Sequence, residues 1–142
     1  MSKILGVKFT HDSSVSLIDG DELVFCVEGE KIDNGNRYKS ADGIFFVHEV
    51  LDMYGLTLDD IDDIVVDGWA ENKSTLNKLG LEANGYTGTN ESLLEDITPS
   101  TQIYNRDYYS FKHVLGHIIG SYAASPHSKT LETVACICWD GG

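Results

Sequence analysis

Two histidines one helical turn apart, and a carboxylate at the end of an apolar run, are the residues of this chain best spaced for chemistry. His113-Val-Leu-Gly-His117 lies in a segment whose apolar residues, Phe111, Val114, Leu115, Ile118, Ile119 and Tyr122, recur at helical spacing. Residues at i and i+4 share one helix face, roughly 5–6 Å apart at Cβ, so both imidazoles can reach one metal ion. Gly116 and Gly120 leave room beside that face. Alone, an H-x-x-x-H pair more often caps, packs or faces solvent, because two ligands do not make a site. Asp140 is a candidate third ligand. It ends the apolar run Glu132–Trp139 and precedes Gly141-Gly142. That places a carboxylate at a sheet rim, beside glycines that let a phosphate or second loop approach the backbone. Two histidines and one carboxylate are a usual ligand set for iron(II) or zinc, with positions left open. The plain alternative for Asp140 is an ordinary Asp-Gly turn.

A second cluster is Thr10-His11-Asp12-Ser13-Ser14. A tight polar turn can offer backbone N–H groups and hydroxyls to an anion. His11 is its one residue able to move a proton near pH 7. Taken alone, Asp12, Ser13 and Ser14 read slightly better as turn chemistry. Glu28, Glu30, Lys31, Arg37 and Lys39 bring opposite charges into one loop. Lys39 matters only if that loop folds over the site. His48 and His127 read as structural or solvent-facing. There is no G-x-x-x-x-G-K-[ST], G-x-G-x-x-G, C-x-x-C or G-x-S-x-G, so P-loop, dinucleotide, zinc-ribbon and serine-hydrolase readings lack support.

The elements that must position these residues follow from periodicity and turn signals. Lys3–Phe9, Val15–Ile18 and Leu23–Val27 read as three strands of an antiparallel meander, with Asp19-Gly20-Asp21 as a hairpin turn. Residues 29–40 read as a loop. Ala41–Tyr54 has helical spacing and ends at Gly55, a good C-cap. Leu58–Asp63 is a short acidic turn, and Ile64-Val65-Val66 a buried strand of the parallel-sheet kind. Residues 70–105 form an insertion-like segment with one short helix around Ser74–Leu81 and a strand at Gln102–Tyr104. Ser110 is the expected N-cap of the histidine helix, Pro126 its stop, and Glu132–Trp139 the last strand. This order predicts a single α/β domain, a ribonuclease-H-like mixed sheet with flanking helices. A buried strand that runs into Asp-Gly-Gly normally turns back, so residues 132–142 read as the first strand of a missing second half.

Composition bounds the partners. The chain has 142 residues, with 10 Lys/Arg against 23 Asp/Glu and a net charge of −13. Such a chain repels phosphate backbones and anionic membrane surfaces, which argues against nucleic-acid and membrane partners. With 42% apolar residues it can build a core, and no apolar run approaches the ~20 residues that span a bilayer. The start has no leader-like apolar region. Cys26, Cys136 and Cys138 are an odd number in apolar runs, expected to be small buried hydrophobes in a reducing cytoplasm.

Taken together, several segments resemble the N-terminal domain of the nodulation-type and antibiotic-type O-carbamoyltransferases. Ile4-Leu5-Gly6-Val7 with His11-Asp12-Ser13-Ser14-Val15-Ser16-Leu17-Ile18 is similar to that family's I-L-G-I…H-D-S-S-A-A-L-I opening. Val27-Glu28-Gly29-Glu30-Lys31 is similar to V-E-E-E-R, from which Gly29 and Lys31 depart. His113 to Pro126, then Cys136–Gly142, is similar to H-x-x-x-H-x-x-S-A-Y-x-x-S-P followed by a strand ending in D-G. Leu56–Asp62 is similar to the family's helix-to-strand link. The resemblance covers residues 3–68 and 108–142, and 70–105 hardly at all.

It implies the first half of an actin/hexokinase/Hsp70-type nucleotide-binding fold, related to the proteins that make threonylcarbamoyl-adenosine in tRNA. It implies iron(II), or zinc, held by His113, His117 and Asp140 with a further aspartate from beyond Gly142. His11 becomes the base for the acceptor hydroxyl, and Asp12, Ser13, Ser14, Lys39 and Gly141 contact substrate or nucleotide. ATP and carbamoyl phosphate are the implied substrates of the full-length enzyme, whose C-terminal domain makes carbamoyladenylate. The implied partners are a small hydroxyl acceptor and the missing C-terminal portion or subunit, without which this stretch should be inactive. Oligomerisation stays open. Two rivals remain: a non-catalytic metal- or partner-binding module, and a tRNA-modifying relative, against which the acidic charge argues.

Overall fold

Leu5, Val7 and Phe9 alternate with polar or small neighbours, and strand geometry sends them all to one side of a sheet. In a computed structural model, which describes residues 1–9, 12–33, 45–67, 98–99, 103–111, 113–130 and 133–138, that side is the core. β1 (Lys3–Lys8) pairs antiparallel with β2 (Ser14–Asp19), Leu5 opposite Leu17 and Val7 opposite Val15. β2 pairs antiparallel with β3 (Glu22–Glu28), Leu17 opposite Phe25, with a register shift between Leu17 and Ile18. The expected meander is present, and Gly20 at φ 64 closes its hairpin in the left-handed conformation that glycine tolerates.

β4 (Asp63–Asp67) lies parallel to β1, with Ile64 beside Leu5 and Val66 beside Val7. β5 (Thr98–Pro99) pairs antiparallel with β6 (Tyr109–Phe111), which runs parallel to β4. Among the described residues the mixed sheet has six strands, in the order β3-β2-β1-β4-β6-β5. Helix α2 (Phe45–Met53) contributes Phe46, Val47, Val50 and Leu51 to the core. It stops where expected: Gly55 adopts φ 68, and Leu56 N–H returns to Leu51 O at 3.0 Å. Tyr54 then stacks on Phe25, with ring centroids 4.1 Å apart. Residues 41–44 of the expected helix lie outside the described residues.

Several expectations are corrected. Residues 29–33 are not loop but a short helix, α1 (Gly29–Asp33), whose first N–H donates to Ser13 O at 2.7 Å. Lys31 sits 2.7 Å from Glu30 and 3.9 Å from Glu28. Ser110 caps no helix; it is a β6 residue beside Val66, and α3 (His113–Ala123) begins three residues later. As expected, α3 ends just before Pro126: Ser125, ahead of it, is extended at ψ 157, and Pro126 opens a 3₁₀ turn, Pro126–Lys129. At 102–104 no ladder forms among the described residues. Ile103 and Arg106 instead close a tight turn through Tyr104 (φ 55) and Asn105 (φ 59). Residues 133–138 form no strand, because no described strand pairs with them, and Ile137 is 92% exposed. The cysteines are not buried: Cys26 and Cys136 are exposed and Cys138 is half-buried. Cys26 faces outward from edge strand β3, where partial burial and then the nearby Glu28 carboxylate push its thiol pKa up. The short helix expected near residues 74–81 lies outside the described residues.

Arg106 ties the tight turn to the link before β4. Its guanidinium donates to the carbonyls of Leu58, Ile61 and Asp62. Asp62 in turn clamps the start of β1: its carboxylate accepts from Lys3 N–H at 2.7 Å, and its N–H donates to Lys3 O at 2.9 Å. In the same link, the Thr57 N–H and hydroxyl donate to Asp60 and hold its carboxyl below the usual range. Arg106→Ala should cost about 2 kcal/mol in urea denaturation, since it removes three hydrogen bonds at once and leaves Leu58 O with only the Ile61 N–H. Arg106→Lys should recover less than half, because a single ammonium lacks the planar fork. His48, on the exposed side of α2, meets Tyr104 edge-on at 5.1 Å. No helix among the described residues is long and apolar enough to cross a membrane.

Candidate functional site

Parallel strands bring their C-terminal ends to one rim. β1, β4 and β6 are parallel, and β4 separates the outer two. The chain leaves β1 toward the His11 turn and leaves β6 directly into α3, which starts at His113. Two strand spacings amount to about 10 Å. The topology therefore sets the polar turn and the histidine helix on the same edge of the sheet, where α/β folds gather ligands.

Within the turn, Asp12 is exposed and has φ 55, a left-handed conformation that Asp tolerates better than most residues. Ser13 is buried beneath it, and its hydroxyl has no hydrogen-bond partner among the described residues. Ser14 is the first residue of β2, half-buried between Lys8 and Glu28 in the register. His11, Lys39, Asp140 and Gly141 lie outside the described residues.

On α3, His113 is the first residue and His117 follows one turn later on the same face. His117 is exposed and borders a cleft of about 370 Å³ between α3 and residues 133–138, toward the low end of the small-ligand range. Its polar wall includes Ser121, Tyr122, Ser125 and His127, and its apolar wall Ile118, Val134 and Ile137. The described lining carries no carboxylate, ammonium or guanidinium. The cleft's floor is set locally. Ser125 Oγ donates to Tyr122 O at 2.7 Å, and Ser128 Oγ donates to Ser125 O at 2.8 Å. Tyr122 Oη reaches His127 O at 3.4 Å.

Among the described residues no three His, Cys, Asp or Glu side chains form a metal-ligand group. Of the expected set, only the His117 side chain is described, and its donor chemistry suits iron(II) or zinc. The cleft wall was missed in the sequence, where His127 reads as incidental. The nearest signal was Ser125-Pro126, which marks a break right after the helix.

Comparison with known proteins adds a family. Residues 3–142 match the model of the family described as Carbamoyltransferase N-terminus. The chain is similar to Nodulation protein U of Rhizobium tropici, 35% identical over 150 residues, which is 98% of this chain and 26% of that protein. It is 34% identical over 150 residues to Nodulation protein U of Bradyrhizobium diazoefficiens, with coverage of 98% and 26%. To that of Sinorhizobium fredii it is 30% identical over 152 residues, with coverage of 98% and 27%. The chain thus spans about a quarter of the length of the curated relatives it matches.

Proposed function

Because the chain belongs to the carbamoyltransferase N-terminus family, we propose that it serves as the N-terminal part of an O-carbamoyltransferase. The reaction moves a carbamoyl group from carbamoyladenylate, made from carbamoyl phosphate and ATP, to a hydroxyl of a small metabolite. The observation that carries this reading is the shared rim. The turn after β1 and the start of α3 after β6 lie on one edge of the sheet, where His11 as a base and His113 and His117 as metal ligands would act on one substrate. The strand order, a meander followed by parallel additions on the β1 side, supports the ribonuclease-H-like first half of an actin-like fold.

In this reading the His11 imidazole takes the proton of the acceptor hydroxyl as its oxygen bonds to the carbamoyl carbon. The bond from that carbon to the adenylate phosphate oxygen then breaks, and AMP leaves. Asp12, Ser14, Lys39 and Gly141 orient the adenylate, and Ser13 acts from below the turn. His113, His117 and Asp140 would hold iron(II) or zinc, which when bound supplies a Lewis acid for the carbonyl or phosphate oxygens.

The test is transfer of label from radiolabelled carbamoyl phosphate, with ATP, to a panel of polyols and aminosugars, using the protein as the cell makes it. No transfer to any acceptor would overturn the reading. His117→Ala should remove at least about 90% of the bound metal measured by mass spectrometry, since one lost ligand of three or four typically costs far more affinity than tenfold. Unchanged metal content would show that the ligands lie elsewhere.

A further inference from the structure

The rim that carries the candidate site is built from strands that are unequally held. β1 and β4 share four residue pairs, from Ile4 beside Asp63 to Val7 beside Val66. β6 has three residues and three pairs with β4, from Tyr109 beside Val65 to Phe111 beside Asp67. Its other described neighbour, β5, is two residues long. A ladder that short specifies its register weakly, and a slip of one residue would carry the start of α3 about 3.3 Å along the sheet. A second constraint lies at the opposite end of the strands. Arg106, three residues ahead of β6, donates to the carbonyls of Leu58, Ile61 and Asp62, in the link that runs straight into β4 at Asp63. Asp62 holds the start of β1 in turn, its carboxylate accepting from Lys3 N–H at 2.7 Å and its N–H donating to Lys3 O at 2.9 Å. The turn that carries Arg106 is closed on itself by paired backbone bonds with Ile103, at 2.8 and 2.9 Å. One guanidinium and one aspartate thus join the entrances of the parallel strands β1, β4 and β6.

We infer that Arg106 is a positioning residue: with Asp62 it fixes the entrance of β6 against those of β4 and β1, and so sets where α3 begins relative to the end of β1. The inference rests on the reading that the turn after β1 and the helix after β6 serve one substrate. Buried Ile103 and Tyr108 also hold this stretch to the core. Apolar contacts have no direction and tolerate sliding, whereas a planar fork aimed at three fixed carbonyls does not. Arg106 touches no reacting atom. Its influence travels along short strands, five residues in β4 and three in β6. Misplacement by about 1 Å at the rim is enough to slow a reaction by ~100-fold.

The experiment compares Arg106→Ala with Leu51→Ala on the protein as the cell makes it, at a temperature well below both melting points. Leu51 is 1% exposed in α2 and takes no part in the clamp, so its truncation lowers Tm at least as far and controls for lost stability. Arg106→Ala should lower kcat for carbamoyl transfer about 10- to 100-fold with metal content at the parent level, whereas Leu51→Ala should keep the parent kcat. Hydrogen exchange gives a readout that needs no assay of transfer. Amides paired between β4 and β6 should exchange at least about tenfold faster in Arg106→Ala, while those paired between β2 and β3 keep the parent rate. Unchanged kcat in Arg106→Ala, an equal loss of kcat in Leu51→Ala, or a uniform rise in exchange overturns the inference, since Arg106 would then be structural only. Failure of the function reading looks different: the parent itself transfers no carbamoyl group, and the exchange pattern alone then decides whether the clamp holds β6 in place.

Discussion

His11→Ala should reduce carbamoyl transfer by about 10²- to 10⁴-fold, the usual contribution of a positioned general base, while bound metal stays at the parent level. The pairing of these two readouts gives the experiment its force. In the proposed reading the base and two metal ligands are all histidines near one centre, and loss of activity alone does not tell them apart. His11 leaves the chain after β1, whereas His113 and His117 stand on α3 after β6, with β4 between the two strands. The reading therefore requires two separable phenotypes. At position 11 transfer is lost and metal kept; at position 117 metal is lost first and transfer follows. Free imidazole added to His11→Ala should restore part of the rate, because the space vacated by the side chain admits a diffusible base. Transfer unaffected by the substitution would sink the catalytic assignment, and loss of metal would move His11 into the ligand set.

The largest effect on stability is expected at Leu5. It is 0% exposed on strand β1, with Leu17 beside it on β2 and Ile64 beside it on β4. Val47 and Val50 of α2, both 0% exposed, belong to the same buried cluster. Strands on both sides limit how far the surroundings can collapse into a void. Leu5→Ala should therefore cost about 3 kcal/mol, or roughly 10 °C in Tm. Ile18, one residue past the register shift in β2 and 41% exposed, makes the internal comparison. Ile18→Ala should cost less than about 1 kcal/mol. Urea denaturation with an unchanged m-value measures both. Equal costs at the two positions would mean that the inward face of the sheet has been assigned wrongly.

What could be read from the chain and what could not divide along a physical line. The meander was legible because a period of two and a glycine turn are local signals, each contained in a few residues around Gly20. The end of α2 was legible for the same reason, since Gly55 favours the left-handed conformation wherever the rest of the fold lies. Helix α1 was not legible. Its glycine and charges look like loop, and the N–H of Gly29 is satisfied by Ser13, sixteen residues back. Ser110 read as an N-cap because serine in front of an apolar run usually is one. Pairing of β6 with Val66 claimed it for the sheet instead, and no local pattern encodes that pairing.

The site divides in the same way. The spacing of His113 and His117 alone puts them on one helix face, because helix geometry is a property of the backbone. That the helix starts on the rim reached by the His11 turn follows from the parallel placement of β1, β4 and β6, which depends on contacts far apart in the chain. Ser13 shows the limit most sharply. By type and position it belongs to a polar turn open to an anion, and its burial against a glycine exists only once β2 and α1 have packed. Residue type and spacing decide which chemistry is available, because they act within a turn or two of backbone. Long-range packing decides which of those groups face solvent, a ligand or each other.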